Sequence, residues 1–313
     1  MKYRYLILPT LLAIMSVATS CNQEDLPPAS PESDVIEITA QIGTTATRVT
    51  QTADNVYSFD VKDTVAIVGW YGADWATYPT PWSDADAKWW INSLSVNTGS
   101  KWVATPKMRW QNVDELHHFL AWWPLSFTTS ANNLSDIKVD MTKMKEKDVL
   151  VARKSTMATP GTPVQLQFDH LMARFDVNLS FGGQYDGYNN VSVSLDAATK
   201  GTVNLIDAAG SSVVAETGSN TDVQLAQITS AADYSCSALL LPQSLTAPDL
   251  KISFNVGGIA KSFVYNHPTL SLESGKRTTL NLQVGTDYVY VVSVSVTPWE
   301  DGGTIGGNDN VAE

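Results

Sequence analysis

Cysteine is almost missing from this 313-residue chain, which carries only Cys21 and Cys236. The disulfide framework that staples many small secreted domains is therefore excluded. Histidine is scarce too, at His117, His118, His170 and His267. His117 and His118 are neighbours in a run that reads as a strand, so they face opposite ways and make a poor metal pair. Basic side chains are outnumbered: 20 Lys and Arg stand against 32 Asp and Glu, a net charge of −12. Nucleic-acid binding needs clustered Lys and Arg to neutralise phosphate, so no nucleic-acid partner is expected. The chain has no nucleophile elbow, His-Glu-x-x-His, phosphate loop or Cys-x-x-Cys pair, the usual carriers of catalysis. The acidic pairs Asp60/Asp63 and Asp84/Asp86 lack the regular spacing of a calcium loop. These absences argue for a non-enzyme with no metal and no cofactor. A sustained helical period is missing as well. The best helical candidate, over 169–174, is short.

The first residues, MKYRYLILPTLLAIMSVATSC, have a clear order. Lys2 and Arg4 precede an apolar stretch over about residues 5–17, then Ala18, Thr19 and Ser20 lead into Cys21. A basic start, a short apolar run and small residues make a secretory signal peptide over 1–20. The run is too short for a membrane span. Its end resembles a lipobox, which implies cleavage before Cys21 and acylation of that thiol by lipoprotein export machinery. Two or more palmitate-type chains anchor firmly, at roughly 0.8 kcal/mol per buried methylene. Cleavage would remove Lys2 and Arg4 and take the net charge from −12 to −14. Residues 21–35 follow as an acidic, proline-bearing tether with little to pack. Its "QED" resembles an acidic signal that sends some lipoproteins to the outer face of the outer membrane, and a generic polar linker reads the same way.

Beyond the tether, alternating apolar runs bounded by turn residues recur, which predicts an all-β protein. In "VIEITAQI", Ile36, Ile38, Ala40 and Ile42 fall on one face; Phe175, Val177, Leu179 and Phe181 do the same further on. Many strands with frequent turns point to β-sandwiches, and this length to two of them. Nine of the ten tryptophans precede "TPGTP" at 159–163. The expected division is an N-terminal sandwich over 36–160, a C-terminal one over 161–300 and a tail over 301–313, with the boundary placed to about 15 residues.

The succession "EITAQIGTTATR", "VKDTVAIVGW", "FLAWWPLS", "KDVLVARKS", "VQLQFDHLMARFDVNLSF", "SALLLPQ", "ESGKRTTLNLQV" and "VTPWEDGG" resembles fimbrillin-type proteins, the lipoprotein precursors of type V pilus subunits. The resemblance runs over nearly all of residues 36–302. It implies two tandem transthyretin-like β-sandwich domains and export as an outer-membrane lipoprotein. It also implies proteolysis after an arginine in the N-terminal domain and head-to-tail assembly with other pilus subunits into an adhesive fimbria.

The residues make such processing intelligible. Arg48 is the one basic residue of the Thr-rich segment after the first alternating strand. An arginine-specific protease cutting between Arg48 and Val49 would release residues 21–48 with their lipid. Loss of the strand would bare a sheet edge that another subunit can fill by strand addition. A heterologous contact of that kind does not close, so it grows a filament. The donor candidate is the valine-rich stretch over 288–296. An uncut Arg48 in an anchored lipoprotein is the competing reading, and stalk, tip and anchor roles stay open.

Seven tryptophans crowd residues 70–110. A surface platform for sugar rings built from Trp75, Trp82, Trp89 and Trp90 would make the protein a glycan-binding surface lipoprotein instead, with a host or bacterial glycan or protein as its partner. Core and loop packing accounts for indoles equally well, since they bury large areas.

Overall fold

The computed structural model describes residues 34–43, 59–78, 91–128, 134–228, 232–246, 249–266, 269–285 and 288–299. They are all-β. The strands of the N-terminal half are β1 (Ile38–Ile42), β2 (Thr64–Tyr71), β3 (Ile91–Asn97), β4 (Trp102–Thr105), β5 (His117–Trp123), β6 (Ile137–Asp140), β7 (Leu150–Thr156) and β8 (Val164–His170). Then come β9 (Ala173–Phe181), β10 (Asn189–Ala198), β11 (Lys200–Asn204), β12 (Ser212–Ala215), β13 (Asn220–Gln224), β14 (Ala226–Ile228) and β15 (Tyr234–Leu240). The last six are β16 (Gln243–Thr246), β17 (Asp249–Val256), β18 (Ile259–Asn266), β19 (Thr269–Leu272), β20 (Lys276–Val284) and β21 (Val289–Pro298). Only short 3-10 turns accompany them among the described residues.

A seven-stranded sheet runs in the order β1-β8-β7-β5-β2-β3-β4. Its strands β2 and β5 are buried over nearly all their length because both faces are covered. Val65, Ile67, Phe119, Ala121, Leu150 and Ala152 point into one cluster, which includes Ile38, Ile42 and Phe168. Their neighbours Ala66, Val68, Trp70, Leu120, Trp122 and Val151 point the other way, into a second cluster. That second cluster is closed by Ile137 and Val139 of β6 and Val203 of β11, two strands of the three-stranded sheet β12-β11-β6. It therefore joins residues far apart in sequence.

The C-terminal half is a sandwich. Sheets β13-β10-β17-β18 and β14-β15-β9-β20-β21 enclose a third cluster around Phe175, Val177, Leu195, Ile252, Phe254 and Leu280. The hairpin β16-β19 adds Leu245, Leu270 and Leu272 to it. Cys236 is buried there, and burial pushes its thiol up to about 12, so it stays protonated and unreactive.

The best helical candidate, over 169–174, is not a helix. β8 runs to His170 and β9 begins at Ala173. The alternation breaks there because Leu171, Met172 and Ala173 are consecutive apolar residues at the crossing from β8 to β9, the first two buried in the second cluster and Ala173 in the third. β9 itself still alternates: Ala173, Phe175 and Val177 enter the core, while Arg174 donates from Nε to Asp176 Oδ1 at 2.9 Å in a buried pair. The sequence alternation of a half-exposed strand is thus kept, although the ion pair on the second face is itself buried.

Candidate assembly site

The N-terminal strand β1 sits at one edge of the seven-stranded sheet and pairs in parallel with β8, from Ile38↔Val164 to Ile42↔Phe168. Its alternation works as the sequence predicts. Ile36, Ile38 and Ile42 are 3%, 5% and 0% exposed, and Ala40 packs beside them. Burying three isoleucines is worth on the order of 5–9 kcal/mol, taken as an upper figure.

The lead-in to β1 does something the sequence did not announce. Ile36 N–H donates to Met108 O at 2.9 Å, and Trp110 N–H donates to Asp34 O at 2.9 Å. Val35 and Arg109 form an antiparallel bridge between those bonds. Arg109 also pairs with Asp34 through its guanidinium, on a half-exposed surface. Residues 106–110 follow directly on β4, the opposite edge strand of the same sheet. Residues 34–42 thus bridge both edges: β8 on one side, the segment after β4 on the other. At its far end Gly43 N–H donates to Phe168 O at 3.0 Å, and the Gln167 side-chain amide donates to Gly43 O.

β1 is an edge strand and precedes every other described strand, so no described strand is threaded past it. Departure would bare the alternating row Val164, Leu166 and Phe168 on β8 together with the slots of the three isoleucines. An unpaired edge beside apolar pockets is the geometry that accepts a strand.

A second edge matters. β21 ends the C-terminal sheet and pairs antiparallel with β20, from Val284↔Val289 to Lys276↔Pro298. Val292 is an extra, bulged residue, since Asn281 faces Ser293 while Leu282 faces Val291. Tyr290, Val292, Val294 and Val296 are 40%, 62%, 40% and 47% exposed. The two edges lead to one place. Gly43, just past β1, and Trp299, just past β21, both line a cavity of about 470 Å³ with Arg153, His170 and Lys276. Trp299 is buried and stacks on His170, ring centres 3.8 Å apart, and His170 Nδ1 lies 2.9 Å from Asp148 Oδ2.

The remaining sequence candidates are distributed as follows. Cys21, Arg48, Val49, Trp82, Trp89 and Trp90 lie outside the described residues, as does His267. Trp75 is half-buried: the Arg153 guanidinium lies 4.0 Å over its ring, and Trp70 meets it edge-on at 4.8 Å. Trp70, Trp110 and Trp122 are buried in the two clusters of the first sheet. His117 and His118 do face opposite ways. His117 packs against Trp110 in the first cluster's direction, whereas His118 contacts Ser155 Oγ at 2.8 Å and Gly72 O at 3.2 Å beside Trp70. Burial holds both imidazoles below their ordinary value. Met108, Arg109 and Trp110 are the site residues that sequence reasoning missed, because a three-residue bridge between distant segments has no local pattern.

A family model described as Fimbrillin-like matches residues 44–299, a span that begins immediately after β1 and Gly43. Among solved structures, a proposed cell adhesion protein from Bacteroides ovatus aligns at 17% identity and a TM-score of 0.61, covering 85% of this chain and 98% of that one. A second proposed cell adhesion protein, from Bacteroides uniformis, aligns at 17% identity and a TM-score of 0.56, over 86% and 99% of the two chains. At such identities these likenesses establish a shared fold. A comparison with curated proteins gave no match. With the family model covering most of its length, the chain belongs to the fimbrillin-like family of non-enzymatic, cell-surface structural proteins.

Proposed function

We propose that the protein is the lipoprotein precursor of a type V pilus subunit, matured by proteolysis and assembled by strand exchange. Lipoprotein machinery exports it to the outer membrane and acylates Cys21. An arginine-specific protease cuts between Arg48 and Val49, and residues 21–48 leave with β1. A neighbouring subunit's β21 region then fills the vacated edge of β8, head to tail, in an adhesive fimbria. In this reading the chain works as two sandwich domains, the first closing with β8 and the second opening with β9.

One observation carries the proposal. β1 and its lead-in supply apolar side chains at four alternate positions, Ile36, Ile38, Ala40 and Ile42. In an extended donor, Tyr290, Val292, Val294 and Val296 repeat that spacing, and these are side chains that their own sheet leaves half-exposed. A strand that buries little at home and matches the pockets elsewhere gains by exchanging.

The test is exposure of the exported protein to an arginine-specific protease, followed by N-terminal sequencing and electrophoresis without boiling. Chains starting at Val49 that run as detergent-resistant ladders are expected. Arg48→Ala should leave the chain starting at acylated Cys21 and abolish the ladder. Ladders formed equally by Arg48→Ala would sink the proposal.

A further inference from the structure

We infer that the cavity beside Trp299 is a binding site for a sugar acid, a small polyhydroxylated ligand that carries a carboxylate. The inference rests neither on strand exchange nor on Trp82, Trp89 and Trp90.

The walls come from distant parts of the chain. Arg153 belongs to β7, Asp169 to the end of β8, and Ser211 to the lead-in of β12. Ser274 and Lys276 flank the turn into β20, and Trp299 follows β21. The volume of about 470 Å³ lies within the roughly 300–1,000 Å³ of small-molecule sites. Trp299 lies flat against His170, whose ring is fixed in turn by Asp148, so the indole keeps one orientation.

Hydrogen-bonding character selects the ligand. Arg153 and Lys276 can only donate. Arg153 is half-buried; its Nη1 donates to the backbone O of Asp207 at 2.6 Å, and its guanidinium lies over Trp75. The Asp207 carboxylate instead accepts Ala209 N–H at 2.8 Å. Lys276 is half-buried too, and neither cation has an ion-pair partner among the described residues. Burial lowers the Arg153 guanidinium from its ordinary value, as expected of a charge drawn out of water without a counterion. A carboxylate supplies that counterion through paired N–H···O bonds.

The other three polar side chains accept. Asp169 brings a carboxylate. Ser211 Oγ donates its proton to Leu205 O at 3.0 Å and Ser274 Oγ to Leu171 O at 2.9 Å, so each has only lone pairs left for a further partner. These acceptors call for hydroxyl donors. Acetate has a carboxylate without hydroxyls, glucose has hydroxyls without a carboxylate, and a uronate has both.

Calorimetric titration of the uncut, detergent-solubilised protein with D-glucuronate and with D-galacturonate tests this. For at least one of them a dissociation constant below about 1 mM is expected, with glucose and acetate at least about tenfold weaker. Lys276→Gln should weaken the uronate about tenfold and leave glucose unchanged. Asp169→Asn should weaken the uronate without weakening acetate. Lys261→Gln, on the exposed strand β18, should change nothing. No binding of either uronate up to about 10 mM overturns the inference. A uronate bound no better than acetate or inorganic phosphate overturns it, by reducing the cavity to a bare anion site, and so does binding indifferent to Lys276→Gln. Binding that appears only in the Glu300→Gln, Asp301→Asn double variant also overturns it, by making the chain's own carboxylates the occupants. None of these failures touches the protease and ladder experiment, which reads cut chains.

Discussion

The two edge strands β1 and β21 solve opposite problems. β1 has five residues, yet its alternate side chains are almost wholly buried and its lead-in is hydrogen-bonded to a second segment. β21 has twice the length, but four of its large side chains stay 40–62% exposed. A short strand that fills deep pockets contributes much stability per residue; a long one on a bare rim contributes little. In the proposed exchange, the edge that gives up a well-buried strand would receive valines that β21 leaves 40–62% exposed in its own sheet.

Core truncation should separate the two edges most widely. Phe168→Ala, at the floor of the β1 slots, should cost about 3–5 kcal/mol in chemical denaturation, because the cavity cannot collapse between β1 and Phe59. Ile38→Ala should cost about 2–4 kcal/mol by the same measure, while Val292→Ala should stay within about 0.5 kcal/mol. Equal losses at Ile38 and Val292 would erase the distinction drawn between the edges.

A smaller effect is expected from pH. His117 and His118 are buried near the centre of the first sheet, and desolvation holds both below their ordinary value of 6.5. The unfolded chain then binds protons more readily than the folded one. Stability is complete above about pH 6.5 and declines as pH falls through that value toward the folded-state ones. Denaturation midpoints should drop between about pH 7.5 and about pH 5.5, with a shallower slope in His118→Gln. A midpoint that rises on acidification would contradict the burial of these rings as neutral groups. The smallest change is expected from Arg109→Ala. Its pair with Asp34 is nearly half exposed on both sides, so the loss should be about 1 kcal/mol or less and should shrink with salt.

Much of the architecture was legible in the sequence, for a local reason. Period-two alternation depends on residues two apart, so "VIEITAQI" already identified the inward positions of β1 and its lead-in. The run from Phe175 to Leu179 likewise gave one face of β9. The consecutive apolar residues Leu171, Met172 and Ala173 broke the alternation at the crossing from β8 to β9 and made residues 169–174 look helical. The apolar runs of β2 and β5 announced burial, but not that a single sheet separates two clusters there. Arg109 and Met108 had no signal, since their role comes from a partner some seventy residues earlier in the chain.

By itself the sequence determined the strand-rich class, the inward face of each alternating strand, the scarcity of chemistry-bearing groups and the family likeness. These follow from composition and from neighbours along the chain. The tertiary structure decided which strands end a sheet, that β1 runs parallel to β8, that residues 34–36 bridge to the segment after β4, and that β21 pairs with a single described strand, β20. Those properties are pairings between distant segments, fixed by how whole sheets pack and close.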